Sequence, residues 1–566
     1  MKKMSVNKRL LAAATATLMG AGLATVSTAP SYASSGRVPA ATAPELVMES
    51  SPESAITQDF NPFVPTAAAQ GMGATGLIYE PLIEFDLASP PKYYPWLATA
   101  YAWSNGGKTI TFTIRTGVKW NDGTALTPAD VVFTYQELLK FPSINLAGVK
   151  PTSVTSSGNT VSVSFAAPQY ANLQYIAGIP ILPEHIWSSV SNPSTFTDST
   201  PVGTGPYVLS TFTPEGFTLK VNPNYWGPAP KVPEVYFPVY TSNTSALTAL
   251  FSGQIDWTGN FIPGLQKDFV SKDPSERGYW EAPGSTNAFM VNLHQWPTNQ
   301  LAVRQAISLA VNRTILADEG EAGLENPVLS ATGLTLPTFS AWDGPFKSMT
   351  NSAVAQPAAA KAVLEKAGFT MKGGYFYKGS QEVTVTFIAP SAYTDYAEVG
   401  SLAAQELKAA GINASFDGLT VSAWNADVAD GDFSISEHWS NNGLTPYALY
   451  DNWLDSSLDS STGATGDYSR VDNPAIDADL AKLAGSETVA QQTAALTPIG
   501  DFVAKDLPVI PVTTASEWFE YNARNYVGWP SQANPYESGQ PSGTNLGTGA
   551  GTDEVVLLHL TPRSGA

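Results

Sequence analysis

The sequence predicts an α/β protein of several domains with a mixed sheet, in which helices alternate with strands in the second half of the chain. Two predicted helices, 357–367 and 396–410, each end in the pair Ala-Gly and are each followed by an extended segment. Gly after the last helical residue is a common helix stop, and helices alternating with strands are typical of a sheet covered by helices. The chain has 566 residues, enough for about three domains of roughly 100–200 residues each.

The first 33 residues have the pattern of an export signal. A basic start is followed by a small apolar run at 10–26, and Ser31-Tyr32-Ala33 offers a small-x-small cleavage site. A Ser/Pro/Ala-rich linker, 34–44, comes next. The chain contains no cysteine. We therefore expect an exported protein, periplasmic or at the cell surface, that is not held through a lipoprotein cysteine.

The segment from 98 to 140 has the clearest local pattern. Ile110, Phe112 and Ile114 alternate with threonines, which predicts a half-buried strand. Thr127-Pro128-Ala129-Asp130 then predicts the start of a helix, because Thr127 can cap it and Asp130 can answer in a capping box. Strands and turns are predicted over 150–260, a helix over 301–312, and strands at 383–387 and 414–416. A loop is predicted over 528–551, and a last strand over 554–560.

The composition excludes several classes of function. A net charge of −20 argues against nucleic-acid binding, since phosphate neutralisation needs a basic surface. Neither a GxSxG elbow nor an HExxH motif occurs, so we expect no enzyme, no catalytic residues and no cofactor. The four histidines lie far apart without metal-ligand spacing, which predicts no metal site: His185, His294, His438 and His559. Charged residues make up only 14% of the chain. A protein with few charges loses few ion pairs when its carboxylates are protonated, so this composition suits an acidic medium.

Aromatic side chains lie among amides and hydroxyls between 424 and 453. This segment contains Trp424-Asn425, the run His438-Trp439-Ser440-Asn441-Asn442, Tyr447, Tyr450 and Asn452-Trp453. Core packing explains a single Trp, but core segments rarely alternate Trp with Asn and Ser. Flat rings beside amide donors and acceptors suit the faces and hydroxyl edges of sugars, and they also suit peptides.

The chain resembles a known family through motifs spread from about residue 45 to 530. Pro95-Trp96-Leu97-Ala98 is followed by the nearly continuous run 103–133, which ends in the Asn121-Asp122-Gly123 turn and the Thr127-Pro128 helix start. Further matches are Gly203-Thr204-Gly205-Pro206-Tyr207, Asn222-Pro223-Asn224-Tyr225-Trp226 and Leu507-Pro508-Val509-Ile510-Pro511. These segments are similar to those of the bacterial extracellular solute-binding proteins of the dipeptide/oligopeptide type, family 5, which are the ligand-capturing subunits of ABC importers.

The resemblance implies a periplasmic-binding-protein type 2 fold, with two α/β lobes, a hinge and an extra domain inserted in lobe one. Lobe one would be built from 45–80, 200–287 and 512–566, with the C-terminal tail in the last segment. The inserted domain would span 81–199 and lobe two 288–511. Closure of the hinge would bury the solute, and the partners would be the solute and the ABC permease subunits, with the protein itself a monomer.

The solute is an oligosaccharide or an oligopeptide. Peptide-binding members place an acidic residue just before the proline that follows the lobe-two Trp, where it receives the peptide ammonium group. Here Thr445 precedes Pro446, and the run through Tyr450 looks like the oligosaccharide-binding branch, although Asp451 or Asp432 could still supply the carboxylate. A secreted glycan hydrolase and a receptor that senses without transport are the alternative functions.

Ten residues are predicted to bind the solute, through ring stacking or through hydrogen bonds from amide groups. Those expected from lobe two are Trp439, Asn441, Asn442, Tyr447, Tyr450 and Trp453. Those expected from the opposing lobe are Asn61, Phe63, Trp257 and Asn287.

Overall fold

The structure is a computed structural model that describes residues 43–50, 55–87, 91–459, 463–541 and 552–563. The predicted export signal, 1–33, and the linker up to residue 42 lie outside the described residues. The first strand, Leu46–Glu49, begins just after the predicted linker.

The first large sheet collects strands from three distant parts of the chain. Its seven strands lie in the order Arg277–Tyr279, Glu520–Asn522, Trp257–Thr258, Leu46–Glu49, Glu234–Pro238, Gly216–Val221, Tyr207–Thr213. Leu46–Glu49 pairs in parallel with both of its neighbours. Its residues Leu46 and Met48 are buried in one core with Phe217, Phe237 and Trp257.

The second large sheet has five strands, in the order Asn413–Leu419, Thr384–Pro390, Ile435–His438, Ala282–Val291, Val509–Glu517. Thr384–Pro390 runs parallel to the strands on both of its sides. The helix Thr394–Ala409, which follows Thr384–Pro390, corresponds to the helix that the sequence predicted over 396–410, and the helix Val421–Asp430 precedes Ile435–His438 without having been predicted. In open α/β sheets, ligands bind outside the carboxyl ends of such strands.

The two large sheets are joined by two extended crossings that lie side by side. One crossing connects Tyr279 to Ala282 and the other connects Glu517 to Glu520. Tyr279 is paired with Glu520 and Ala282 with Glu517, and Trp280 N–H donates to the Phe519 carbonyl at 3.1 Å. We call residues 279–282 and 517–520 the hinge ribbon. The strand Ala282–Val291 spans the predicted boundary between 287 and 288, and the domain boundaries stay a prediction.

A third sheet, with its own core, lies between the first two segments of the seven-stranded sheet in sequence. Its strands are ordered Ala98–Ser104, Thr109–Ile114, Thr160–Ser164, Ser153–Ser157. Ile110, Phe112 and Ile114 are buried, as their alternation predicted. The helix Pro128–Lys140 starts at the predicted capping box, in which Thr127 N–H donates to Asp130 Oδ2 at 2.8 Å.

The remaining elements cover these sheets. Further helices of the described residues include Ala68–Gly71, Thr75–Ile78, Leu173–Ala177, Glu184–Trp187, Asn243–Phe251, Leu265–Asp268, Leu301–Ala310, Arg313–Ile315, the π-helix Leu316–Gly320, Pro357–Lys366, Tyr447–Leu454, Pro474–Ala484 and Val489–Asp506. Small sheets are formed by Ile83–Asp86 with Lys92–Pro95, by Thr370–Lys372, Tyr375–Lys378 and Gln381–Glu382, and by Tyr526–Val527 with Thr561–Pro562. Over the described part of the chain, every helix is too short or too polar to cross a bilayer.

The predicted last strand, 554–560, is wrong: this segment is the helix Thr552–His559. Asp553 and Glu554 lie in its first turn, where carboxylates favour a helix N-terminus. Val555, Val556 and Leu557 are buried in succession. A short continuous apolar run does not distinguish a buried strand from a buried helix, which explains the error.

Candidate functional site

The loop 438–446 follows the central strand Ile435–His438, at the carboxyl edge of the five-stranded sheet. Ser440 holds the loop against the sheet, since its Oγ donates to the carbonyl of Thr286 in the strand Ala282–Val291 at 2.5 Å. The same Oγ accepts a hydrogen bond from Trp453 Nε1 at 2.7 Å. The loop is therefore held against both the neighbouring strand Ala282–Val291 and the helix Tyr447–Leu454.

Two other parts of the chain also hold this loop. From the helix Leu173–Ala177, Gln174 Nε2 donates to the Asn442 carbonyl at 3.0 Å, and Gln174 Oε1 accepts from Leu444 N–H at 3.0 Å. From the hinge ribbon, Glu517 Oε1 accepts from Asn442 Nδ2 at 2.6 Å. The loop is therefore in contact with the helix Leu173–Ala177, with the hinge ribbon and with the five-stranded sheet. A motion between the lobes would change its contacts.

Trp439 presents an indole ring at this meeting point. Its side chain is 42% exposed, although it packs on His438 with ring centroids 4.2 Å apart and on Trp424 at 5.7 Å. Burial lowers the pKa of His438 to about 4, so its ring is neutral and acts as an aromatic support. A supported ring with one free face is the geometry of a stacking platform.

Asn441 and Asn442, which the sequence analysis predicts to bind the solute, follow Trp439 closely in the same loop. The Asn441 carbonyl accepts from Ser285 Oγ at 3.4 Å. The Asn441 side chain is hydrogen-bonded to Tyr175, whose pKa is raised by burial and by the charge of Asp451. Both asparagines are half-buried, and each is oriented by neighbours from a different part of the chain.

The other three aromatic residues predicted from lobe two lie behind the loop. Tyr447, Tyr450 and Trp453 are 9%, 0% and 1% exposed, in the core under the loop. The Tyr450 hydroxyl donates to the Thr332 carbonyl at 3.0 Å, and Trp453 holds Ser440. In this structure these rings support the site from within and offer no free face to a solute.

Three of the residues predicted from the opposing lobe are packed in cores. Asn61 Nδ2 donates to the carbonyls of Pro193 and Phe196, each at 2.7 Å. Phe63 is 4% exposed in the core of the inserted segment, and Trp257 is 0% exposed with its Nε1 bonded to the Gly539 carbonyl at 2.7 Å. Their assignment to the ligand site stays a prediction, and the structure does not bring them to Trp439.

Asn287, the tenth residue, lies in a group of buried carboxyl groups at the same sheet edge. Its Nδ2 donates to Glu325 Oε2 at 3.1 Å, and its Oδ1 accepts from the Tyr396 hydroxyl at 3.3 Å. The charges of Glu321, Glu325, Asp395 and Glu437 all act on Tyr396. The sequence could not predict that these four acidic residues are buried. The chain has 49 acidic residues, and no pattern in the neighbouring sequence distinguishes these four from the others.

More carboxyl groups continue from this group into the hinge ribbon and the seven-stranded sheet. Glu281 interacts with Glu325 on one side and with Glu520 on the other, and Glu520 interacts with Glu49. We call these seven residues the hinge carboxyl chain: Glu49, Glu520, Glu281, Glu325, Asp395, Glu437 and Glu321. Burial is the largest cause of the raised pKa of each member, reaching about 8 for Glu325 and about 6 for Asp395.

Among the residues that the structure describes, no group of three or more acidic or histidine side chains is arranged to hold a metal ion. The sheet edge carries a supported indole, oriented amides and buried carboxyl groups whose pKa values are raised by burial. Such groups stack on a flat, uncharged solute and exchange hydrogen bonds with it.

Comparison with known proteins shows which family the chain resembles over most of its length. The family model of the bacterial extracellular solute-binding proteins, family 5 Middle, matches residues 92–461. The nickel-binding periplasmic protein of Escherichia coli strain K12 is 26% identical over 444 residues, which are 75% of this chain and 81% of that protein.

Solved structures show the same fold. A periplasmic oligopeptide-binding protein of an ABC transporter from Thermotoga maritima, crystallised with bound mannohexaose, is 25% identical with a TM-score of 0.81. The match covers 92% of this chain and 98% of that one. The oligopeptide-binding protein of Bacillus subtilis in complex with a nonapeptide is 18% identical with a TM-score of 0.70, covering 88% and 98% of the two chains.

Proposed function

Because this chain belongs to the bacterial extracellular solute-binding proteins, family 5, we propose that it is the solute-capturing subunit of an ABC importer and that its solute is an oligosaccharide. The family fold is the periplasmic-binding-protein type 2 fold, with two α/β lobes joined by the hinge ribbon. The family is extracellular or periplasmic. For this chain we propose an exported location, periplasmic or at the cell surface.

The half-exposed indole of Trp439 is the observation that carries the oligosaccharide assignment. A sugar ring stacks on such a face, while Asn441 and Asn442 beside it can bond to hydroxyl groups. The mannohexaose bound to the Thermotoga maritima protein adds support, because that protein is similar over nearly its whole length.

An oligopeptide is the second candidate, favoured by carboxyl groups near the loop. The Asp451 side chain is hydrogen-bonded to Tyr447, and burial raises its pKa to about 7, so near neutral pH it is only partly ionised and a weak partner for an ammonium group. Asp432 is exposed after the helix Val421–Asp430. Thr445, which precedes Pro446, carries no charge.

Calorimetric titration at pH 5 distinguishes the two solutes. We expect heat and saturation with mannohexaose or with a cello-, xylo- or chito-oligosaccharide, and none with a pool of tripeptides. Tight peptide binding without a sugar response would contradict the assignment. Cleavage products after incubation with the sugars would instead identify a hydrolase, and a lack of transport by a permease encoded beside the gene would identify a receptor.

Replacing Trp439 tests the platform. Trp439→Ala is expected to weaken oligosaccharide binding by about 1–3 kcal/mol, because the stacking area is lost while the fold remains. Titration calorimetry measures the affinity and a thermal melt measures the stability. Trp103→Ala is the matched control, since this half-buried indole packs on Tyr170 in the inserted segment, at 5.3 Å, away from the loop. An unchanged affinity with a lowered melting temperature would show that Trp439 is only a packing residue.

A further inference from the structure

The hinge carboxyl chain has members in both large sheets and in the crossing between them. Glu49 and Glu520 are in strands of the seven-stranded sheet, and Glu281 lies in the crossing between Tyr279 and Ala282. Glu437 is in the central strand of the five-stranded sheet, Asp395 begins the helix beside it, and Glu321 and Glu325 belong to the segment after Leu316–Gly320. The chain therefore spans the place where the lobes rotate relative to one another.

The members of this chain have few partners and no counter-charge. Both carboxyl oxygens of Glu281, Glu321 and Glu437 are shielded from solvent without a hydrogen-bond partner, and so is one oxygen of Glu49 and of Glu520. Within the described part of the molecule, no Lys, Arg or His forms an ion pair with any of the seven. Adjacent buried carboxylates without cations cannot all ionise, so the packed arrangement requires protons on them.

The groups that face this chain are other carboxyls, phenols and neutral polar groups. Glu49 Oε2 accepts from Thr258 Oγ1 and Asn260 Nδ2 at 2.5 and 2.7 Å, and Glu520 Oε2 accepts from Asn260 N–H at 3.1 Å. Glu325 Oε1 accepts from Ser516 N–H at 2.9 Å. The titratable groups outside the chain are Glu517 in the ribbon itself, Tyr240 near Glu49, and Tyr393 and Tyr396 near Asp395. None of these neighbours can supply a positive charge.

We propose that the hinge carboxyl chain makes solute capture dependent on acid, because the lobes close on the solute only while the carboxyl groups in and beside the hinge ribbon are neutral. This inference rests on the proposed function and names the regulation of the same cleft. When the pH rises, the carboxyl groups of the hinge carboxyl chain ionise. The resulting carboxylates repel one another, and each is more stable when it is hydrated. Opening of the lobes admits water, so ionisation favours the open state and release of the solute.

The hinge position separates this effect from the general effect of buried acids. Glu80 and Glu554 are also hydrogen-bonded to each other and buried without a cation, but Glu80 follows the helix Thr75–Ile78 and Glu554 lies in the helix Thr552–His559. Both are outside the hinge ribbon and the loop 438–446. They provide a matched control, since their ionisation should change stability and leave lobe closure unaffected.

The test measures mannohexaose affinity by calorimetry at pH 5 and pH 8, in the wild type and in isosteric neutral variants. We expect the wild type to bind about tenfold or more weakly at pH 8, because closure that takes up one proton changes affinity by up to tenfold per pH unit. Glu281→Gln with Glu325→Gln should lose clearly less affinity than the wild type between pH 5 and pH 8, since five ionisable members of the chain remain. The control variant Glu554→Gln should keep the wild-type dependence on pH. Where the double variant does not fold, Glu281→Gln alone is measured.

Small-angle scattering of the solute-free protein provides a second measurement that does not need a known solute. The radius of gyration should increase from pH 5 to pH 8 in the wild type and increase less in Glu281→Gln. Equal sugar affinity at both pH values, or a double variant with the wild-type dependence, would overturn the inference while leaving the proposed function intact. Absence of sugar binding at pH 5 would contradict the proposed solute and leave the inference about the hinge to be decided by scattering. In that case, a radius of gyration of the wild type that is the same at pH 5 and pH 8 would overturn the inference.

Discussion

The protein is expected to melt at a temperature about 5 °C or more lower at pH 8 than at pH 5, because its buried carboxyl groups must release protons. Burial raises the pKa of Glu517 from 4.5 to about 7, that of Asp451 from 3.8 to about 7 and that of Asp467 from 3.8 to about 8. Each folded-state pKa lies above the unfolded one, so the folded state binds more protons. Stability from these groups is fully present below about pH 4 and is lost as pH rises towards 7 or 8.

The size of this effect follows from the shift of a single group. The pKa shift of Glu517 corresponds to about 3 kcal/mol of unfolding free energy, which is present when the Glu517 carboxyl is protonated and lost when it is ionised. Asp122 is the one carboxyl of the described residues whose pKa is shifted downwards, with bonds from Thr124 and His185 opposing its burial, so little stability is lost in acid. Calorimetric melts from pH 4 to pH 8 measure the trend, and Glu517→Gln should make it shallower. A melting temperature that rises over this range would contradict the prediction.

Replacing the buried guanidinium of Arg313 is expected to cost about 3–5 kcal/mol of unfolding free energy. Arg313 is 0% exposed between the helix Leu301–Ala310 and the strand Val509–Glu517. Its Nε donates to the Pro511 carbonyl at 2.8 Å, and its Nη1 donates to the Ser308 carbonyl at 3.1 Å. Arg313→Ala leaves these carbonyls without donors and opens a cavity, and both effects destabilise the core.

Chemical denaturation measures this loss. Arg524→Ala is the control, because Arg524 is exposed and donates to one carbonyl, that of Gly253. We expect it to cost less than about 1 kcal/mol. Arg313→Lys should recover only part of the stability, since an ammonium cannot reproduce the planar donors of the guanidinium. Equal effects of Arg313→Ala and Arg524→Ala would contradict the assigned role.

Local patterns in the sequence predicted much of the fold because short-range physics decides them. The alternation at 109–114 and the capping box at Thr127 depend on neighbours within four residues, and both are present. The family is likewise visible in the run 103–133, because turn residues and strand residues recur in a fixed order. The helix Thr552–His559 was missed because its apolar run is decided by distant packing rather than by its own pattern.

The candidate site was only partly predictable, because a residue's type does not tell which side of a core it faces. Trp439 and Trp453 look alike in sequence, yet one is 42% exposed and the other 1%. The difference comes from the helix Tyr447–Leu454, which turns Trp453 under the loop towards Ser440. Glu281 and Glu437 were missed for the opposite reason: acidic residues are expected at the surface, and only the tertiary structure buries them.

The three-part origin of the seven-stranded sheet has a consequence for how the chain folds. Its strand Leu46–Glu49 needs partners from 234–258, and the strand Glu520–Asn522 is needed to complete one side. The five-stranded sheet draws all of its strands from 282–517, so it can assemble as a unit. The strand Glu520–Asn522 pairs with Trp257–Thr258 and Arg277–Tyr279, so the seven-stranded sheet can be complete only after the chain has been made through residue 522.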